Sequence, residues 1–289
     1  MQTLGCKTAQ ERNTRLQVLR LDELHPVVSG NKIFKLRYFL ENAANQRVVT
    51  FGGAYSNHLV AAAFACKEKG IDCIGIVRGE EPKQLSHTLQ QCIENGMQLQ
   101  FISRDEYDKK ETAGFLGALK NKYGDCVVIP EGGYGIKGAE GAAEIIDCIG
   151  EDVTHICCAV GTATTVAGLL LKAKPHQTIV AFPVLKGMND IEQRIAFLTG
   201  RKYNQQQLLV QNNYHFGGYA KKTTALISFM NDIYSQYSLP TDFVYTAKML
   251  YGTIDMIEKG IFEPGSRICC IHTGGLQGNL SLPGGTLTF

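Results

Sequence analysis

The sequence predicts an α/β protein of two lobes, each an open and mostly parallel sheet flanked by helices. Three observations carry this expectation. From Arg47 onward, short apolar runs alternate with segments of helical period, the pattern of parallel strands joined by right-handed crossovers. Many of the 31 glycines fall where an apolar run gives way to a helical pattern, which is where parallel α/β proteins place their ligand-facing turns. The alternation is broken at Pro130-Glu131-Gly132-Gly133, which sets a domain boundary there; no internal repeat or low-complexity linker separates the halves, so packed lobes are expected.

In chain order, Leu16 to Leu21 alternates weakly as an edge strand, and Asp22 to Asn31 is turn-rich. Phe34, Leu36, Tyr38, Phe39, Leu40 and Ala43 place a helix over 34–44 with Lys35 near its start. A strand over 47–51 leads to a helix over 57–69 rich in alanine and closed by Gly70. Strands follow over 71–77, 97–102 and 126–129, separated by helices over 86–95 (ended by Gly96) and 106–122 (closed by Gly124). Beyond Pro130 the pattern gives a helix over 137–149, a strand over 155–160, a helix over 165–172 and a strand over 178–184. Helices over 190–198, 223–237 and 247–259 precede a last strand over 267–271, which runs into His272-Thr273-Gly274-Gly275.

Composition narrows the function. The chain has 289 residues, with 29 basic and 27 acidic side chains spread along it for a net charge of +2. It has no basic block, which argues against nucleic acid and anionic membrane as partners. Residues 1–10 carry polar side chains throughout and no apolar core, unlike a signal peptide, and no apolar run is long enough to span a bilayer. Ten cysteines, among them Cys157-Cys158 and Cys269-Cys270 inside apolar runs, form no C-x-x-C pair; they read as reduced core residues of a cytoplasmic protein.

Candidate chemistry gathers on a lysine and three glycine turns. Lys35 lies between Phe34 and Leu36; burial of that run would desolvate the amine and lower its pKa, as carbonyl chemistry requires, whereas an exposed helix face would let it snorkel. Gly161-Thr162-Ala163-Thr164-Thr165 joins an apolar strand to a helix. Backbone N–H groups at a helix start, with three hydroxyls, suit a phosphate dianion, although one threonine could serve as a simple N-cap. No Gly-Lys-Ser/Thr follows, so nucleoside triphosphate chemistry is not indicated. Gly133-Tyr134-Gly135-Ile136-Lys137-Gly138 matches a dinucleotide fingerprint, but Glu151 and Asp152 precede the next strand instead of ending it. His272-Thr273-Gly274-Gly275 places a hydroxyl at the end of the last strand. Seven scattered histidines lack metal-ligand spacing, so no metal is expected. Ser56 and His58 lack a G-x-S-x-G elbow, and His58 reads as a packing residue.

Together these residues resemble the 1-aminocyclopropane-1-carboxylate (ACC) deaminase and D-cysteine desulfhydrase group of pyridoxal-phosphate enzymes, of the tryptophan-synthase-β-like fold. The marks are Gly30-Asn31-Lys32-x-x-Lys35-Leu36, Gly52-Gly53-x-x-Ser56-Asn57, the turn from Gly161 to Thr165, Val244-Tyr245-Thr246, and His272-Thr273-Gly274-Gly275, spread over nearly the whole chain. The resemblance implies pyridoxal 5'-phosphate as cofactor, a small amino acid as substrate, and a homodimer. It implies a large cofactor-binding lobe formed by residues 1–40 and 137–289 and a small inserted lobe over 41–136. It makes Lys35 the lysine joined to the cofactor's aldehyde and the base for the α-proton. Asn57 would bond the phenolic oxygen, Ser56 would hold the substrate carboxylate or assist proton transfer, and Gly161, Thr162, Ala163, Thr164 and Thr165 would hold the phosphate. Tyr219 and Tyr245 would be active-site tyrosines, Thr273 would face the pyridine nitrogen, and Thr246 would also bind the cofactor. Sequences of the deaminase branch carry Glu after the second tyrosine and Leu before Gly-Gly; this chain has Thr246 and Thr273. Hydroxyls leave the ring nitrogen closer to neutral than a carboxylate would, which points to the desulfhydrase branch. ACC deaminase is the alternative, and a cofactor-binding protein without turnover is the alternative of another class.

Overall fold

The computed structural model describes residues 1–25, 27–41, 43 and 46–289. The N-terminal part of the large sheet comes from β1 (Gln2–Leu4) and β2 (Arg15–Arg20), with the short helix α1 (Lys7–Glu11) between them. Helix α2 (Lys32–Glu41) then carries the chain into a second sheet built from β3 (Arg47–Gly52), α3 (Asn57–Glu68), β4 (Cys73–Arg78), α4 (His87–Glu94), β5 (Gln98–Ile102), α5 (Arg104–Tyr107), α6 (Ala113–Tyr123) and β6 (Cys126–Ile129). Helix α7 (Ile136–Ala143) returns it to the large sheet, through β7 (His155–Val160), α8 (Thr164–Lys172), β8 (Thr178–Pro183), α9 (Ile191–Thr199), β9 (Leu208–Val210), α10 (Thr224–Tyr237), α11 (Thr246–Glu258) and β10 (Arg267–His272).

The large sheet has the order β1-β2-β10-β7-β8-β9 and is parallel except for β1, which pairs antiparallel with β2. The small sheet, β5-β4-β3-β6, is wholly parallel. Each sheet is covered on both faces. Ala142, Val166 and Ile195 cover one side of the large sheet, and Ala9, Ile233 and Met256 the other. Alanines 61 to 63 cover one side of the small sheet, and Tyr107 and Leu119 the other. Burial on both faces explains the continuous apolar strands.

Several elements differ from the sequence expectation. Helix α2 begins at Lys32, so Lys35 lies a turn inside it, and the expected end at Ala44 lies outside the described residues, as does Pro26 of the turn-rich segment. The helix expected over 106–122 is two helices, because Ser103 and Thr112 each cap a separate start. The helix expected over 137–149 stops at Ala143 and continues as a 3-10 turn over Glu144–Cys148. The three-residue strands β1 and β9 are too short to show periodicity in the sequence.

The dinucleotide-like glycines serve packing. A side chain at Gly138 would collide with the Gly133 carbonyl and one at Gly141 with the Phe34 carbonyl. Their absence lets α7 lie against α2 and α8, where the lysines of α2 meet the turn before α8.

Candidate active site

The strand ends of both sheets converge on one cleft of about 950 Å³. Its walls are the turns after β3, β6, β7, β8 and β10, together with the first turn of α2 and the segments around Tyr219 and Tyr245. This is where ligands of open parallel sheets bind.

The floor begins with α2. Gly30 has φ +69 and lies so close to the Thr273 carbonyl that a side chain there would overlap it, so the turn before α2 and the turn after β10 are in contact. Asn31 follows, buried, and its amide donates to Thr165 Oγ1 at 2.8 Å. Lys32 Nζ donates to Asn31 Oδ1 at 2.7 Å. Burial lowers the Lys32 pKa to about 8, although Asp242 pulls it upward. Lys35 is 4% exposed; burial, and then the Lys32 charge, hold its pKa well below the ordinary lysine range. Neither amine has an ion-pair partner among the described residues. Two adjacent buried ammonium groups without a paired carboxylate are costly unless an anion joins them.

The turn after β7 supplies a place for that anion. Ala163 takes a left-handed conformation (φ +65), and no side chain caps α8. The first N–H groups of the helix are thus free toward the cleft. Thr162 Oγ1 and Thr164 Oγ1 lie 2.9 Å apart, and Thr165 accepts from Asn31. Uncapped amides and two buried amines fit a phosphate dianion.

The turn after β3 brings Ser56 and Asn57 to the cleft. Ser56 caps α3, its Oγ accepting from Leu59 N at 3.3 Å. The Asn57 amide oxygen is buried without a hydrogen-bond partner, so it too awaits a ligand group or the opposite amide orientation. His58 is buried with Nε2 2.8 Å from Thr50 Oγ1, and that hydroxyl donates to the Ile129 carbonyl. Burial and the two lysine charges push its pKa well below the usual histidine value, so it stays neutral with Nδ1 bare.

Tyr219 and Tyr245 meet edge to face, with ring centroids 6.0 Å apart. Desolvation pushes the Tyr245 phenol well above the ordinary tyrosine value and raises that of the half-exposed Tyr219 as well. Thr273 is buried at the cleft wall.

Thr246 departs from the expectation that it binds the cofactor. Its hydroxyl donates to Asp242 Oδ2 at 2.7 Å and accepts from Asp242 N at 2.8 Å, behind the wall. As the first residue of α11 it closes a local ring with the capping aspartate. Asp242 also accepts from the backbone N–H groups of Val244, Tyr245 and Thr246. Sequence reasoning missed this aspartate, although Asp two to four residues before a helical run is a capping signal. It also missed Arg78, at the end of β4 in the cleft wall, and Lys248, a lysine within an apolar run like Lys35.

A family of pyridoxal-phosphate-dependent enzymes matches residues 7–274. The bifunctional D-cysteine desulfhydrase/1-aminocyclopropane-1-carboxylate deaminase of Arabidopsis thaliana, a mitochondrial protein, is 30% identical over 92% of this chain and 73% of its own. The 1-aminocyclopropane-1-carboxylate deaminase of a Bradyrhizobium strain is 22% identical over 86% of this chain and 82% of its own. Among solved structures, an ACC deaminase homologue superposes with a TM-score of 0.79 at 28% identity, covering 96% of this chain and 89% of that one. A hydrogen sulfide-producing enzyme of Fusobacterium nucleatum shares the fold, with a TM-score of 0.70 at 13% identity over 96% of this chain and 95% of that one. Among the described residues, no helix is long and apolar enough to cross a membrane.

Proposed function

The chain belongs to the pyridoxal-phosphate-dependent enzyme family, and on that premise we propose that it is a lyase of the D-cysteine desulfhydrase type. The reaction is D-cysteine plus water to pyruvate, ammonia and hydrogen sulfide. The observation that carries this reading is the wall after β10. Thr273 presents a hydroxyl there, while Asp242, close to Gly275 of the same turn, is occupied by three backbone N–H groups and the Thr246 hydroxyl. A ring nitrogen against that wall lacks a carboxylate to keep it protonated. The weaker electron sink suits loss of thiolate better than opening of an unactivated ring.

When bound, the cofactor's conjugated ring takes up the electron pair left at the substrate's Cα. The chain supplies the rest. The Gly161–Thr165 turn and the start of α8 hold the phosphate. Ser56, the start of α3 and Arg78 hold the substrate carboxylate, and Asn57 orients the phenolic oxygen. A lysine amine, its pKa lowered by burial, accepts the α-proton once it has lost its own. Tyr219, set edge to face against Tyr245, supplies a proton to the departing sulfur.

Two lysines compete for the cofactor's aldehyde. The sequence points to Lys35, but its Cβ and Cε pack against Gly133, and neighbouring Gly132 packs on Thr162 of the phosphate turn. Lys32 opens α2, and its amine is the one that feels Asp242, the carboxylate under Tyr245. We therefore favour Lys32 as the covalent lysine and proton carrier, with Lys35 as a buried amine packed against Gly133.

Borohydride reduction of the holoenzyme followed by peptide mapping tests the lysine, with the pyridoxyl group expected on Lys32. Its appearance on Lys35 would restore the sequence reading. Assay of pyruvate and sulfide from D-cysteine, and of 2-oxobutyrate from ACC, tests the reaction; 2-oxobutyrate as the main product would make the enzyme an ACC deaminase. Covalent cofactor with neither product would refute both activities.

A further inference from the structure

We propose that Lys248 is a positioning residue that sets Tyr219 against Tyr245 and acts on turnover only through that tyrosine. The inference rests on the reading of Tyr219 as proton donor.

Lys248 lies one turn after Tyr245 on α11 and is 0% exposed. Its Nζ donates to the Gly218 carbonyl at 2.8 Å, and Gly218 immediately precedes Tyr219. The segment it grips cannot hold its shape by local preference. Phe216, Gly217, Gly218 and Ala220 all have positive φ, at 50, 92, 120 and 53 degrees. The two that are not glycine each cost about 1–2 kcal/mol, a strain that a tie from a neighbouring element helps to hold. Local bonds also shape the turn, from Gly217 N to His215 Nδ1 and from Gly218 N to the His215 carbonyl, each at 3.0 Å, and the Gly218 carbonyl accepts from Lys221 N at 3.1 Å as well. Tyr219 itself is 52% exposed; Lys248 is the tie from this turn to α11.

The ammonium is also expensive where it lies. Asp242 is the charged group that favours it, without contacting it, and no carboxylate pairs with it among the described residues. An apolar side chain of similar length would fill such a site without burying a charge. What the charged donor adds is the bond to Gly218. One helix thereby controls both phenols: Tyr245 by its own side chain, and Tyr219 through the lysine one turn later.

The test is a double-mutant cycle on the holoenzyme with Lys248→Met, Tyr219→Phe and the pair, read as kcat and KM. Lys248→Met should lower kcat about 10- to 100-fold by misplacing a catalytic group, leave KM and the cofactor's visible band nearly unchanged, and add nothing in the Tyr219→Phe background. Multiplicative losses would overturn the proposal. Full kcat in Tyr219→Phe would instead remove the role of the tyrosine, and a loss in Lys248→Met alongside it would show that the lysine acts elsewhere. A second readout is independent of turnover. The chain has no tryptophan, so Tyr219→Trp introduces a single indole whose fluorescence anisotropy reports the segment. Adding Lys248→Met, or Lys248→Gln if the former does not fold, should lower the anisotropy; an unchanged value would overturn the tie.

Discussion

The side-chain amide of Asn31 donates to Thr165 Oγ1 across 2.8 Å, joining the turn before α2 to the helix that caps the phosphate site, 134 residues later. The same amide accepts from Lys32. Asn31→Ala removes both bonds and leaves buried partners unmatched, at a cost of about 1–3 kcal/mol. Denaturant unfolding of the apoenzyme should show that loss, and cofactor titration should show weaker binding. Unchanged values in both would mean that the two turns are held by other contacts.

Ser56→Ala separates a structural role from a chemical one. Loss of the cap on α3 should cost about 1 kcal/mol in thermal or chemical unfolding. If the hydroxyl also serves the substrate, turnover should fall well beyond what that cost explains, while the cofactor's band persists. A variant with lowered stability and full turnover would leave Ser56 as a cap alone.

Arg78 ends β4 with its guanidinium 3.8 Å from where a Gly53 side chain would begin, and no carboxylate pairs with it among the described residues. A charge-assisted bond to the substrate carboxylate is worth about 1.5–3 kcal/mol. Arg78→Ala should therefore raise KM about 10- to 100-fold with a smaller change in kcat, and Arg78→Lys should recover part of the loss. A change confined to kcat would place Arg78 elsewhere in the reaction.

The depressed lysine pKa has a pH signature. Lys32 titrates near 8 in the folded apoenzyme against 10.5 for the free side chain. Between those values the unfolded chain binds the extra proton, so this group makes stability rise with pH from about 8 to about 10.5, by up to about 3 kcal/mol. Buried thiols such as Cys158, raised to about 12, act in the opposite direction. The signature is therefore the difference between wild type and Lys32→Met, which should shrink as pH rises through that window. A difference independent of pH would mean that Lys32 is solvated like an ordinary lysine.

Periodicity made the parallel strands from β3 to β8 legible, and glycine turns at their ends located the cleft before any geometry was known. What remained hidden was set by distant contacts. Nothing local distinguishes Lys35 from Lys248 as lysines in apolar runs; one lies by the cleft and the other beneath Tyr219 because α2 packs on α7 while α11 packs on the strands of the large sheet. Thr246 stands at the position after the second tyrosine, where the resemblance sets a cofactor contact, yet its hydroxyl donates to an aspartate four residues earlier. His58 read as packing, and its bond to Thr50 supports that, but the bare Nδ1 in the cleft floor depends on which strand lies opposite.

Strand β10 pairs with both β2 and β7. During synthesis, the first strands of the large sheet must wait for nearly the whole chain before they acquire a parallel neighbour. The small sheet, complete by Ile129, has no such delay, since all its pairings close within one stretch of chain. Folding is thus expected to proceed from the inside of the sequence outward, with the long-range closure as the slow step. A ribosome-bound chain halted before Arg267 would carry a formed inner lobe and half of a cofactor site.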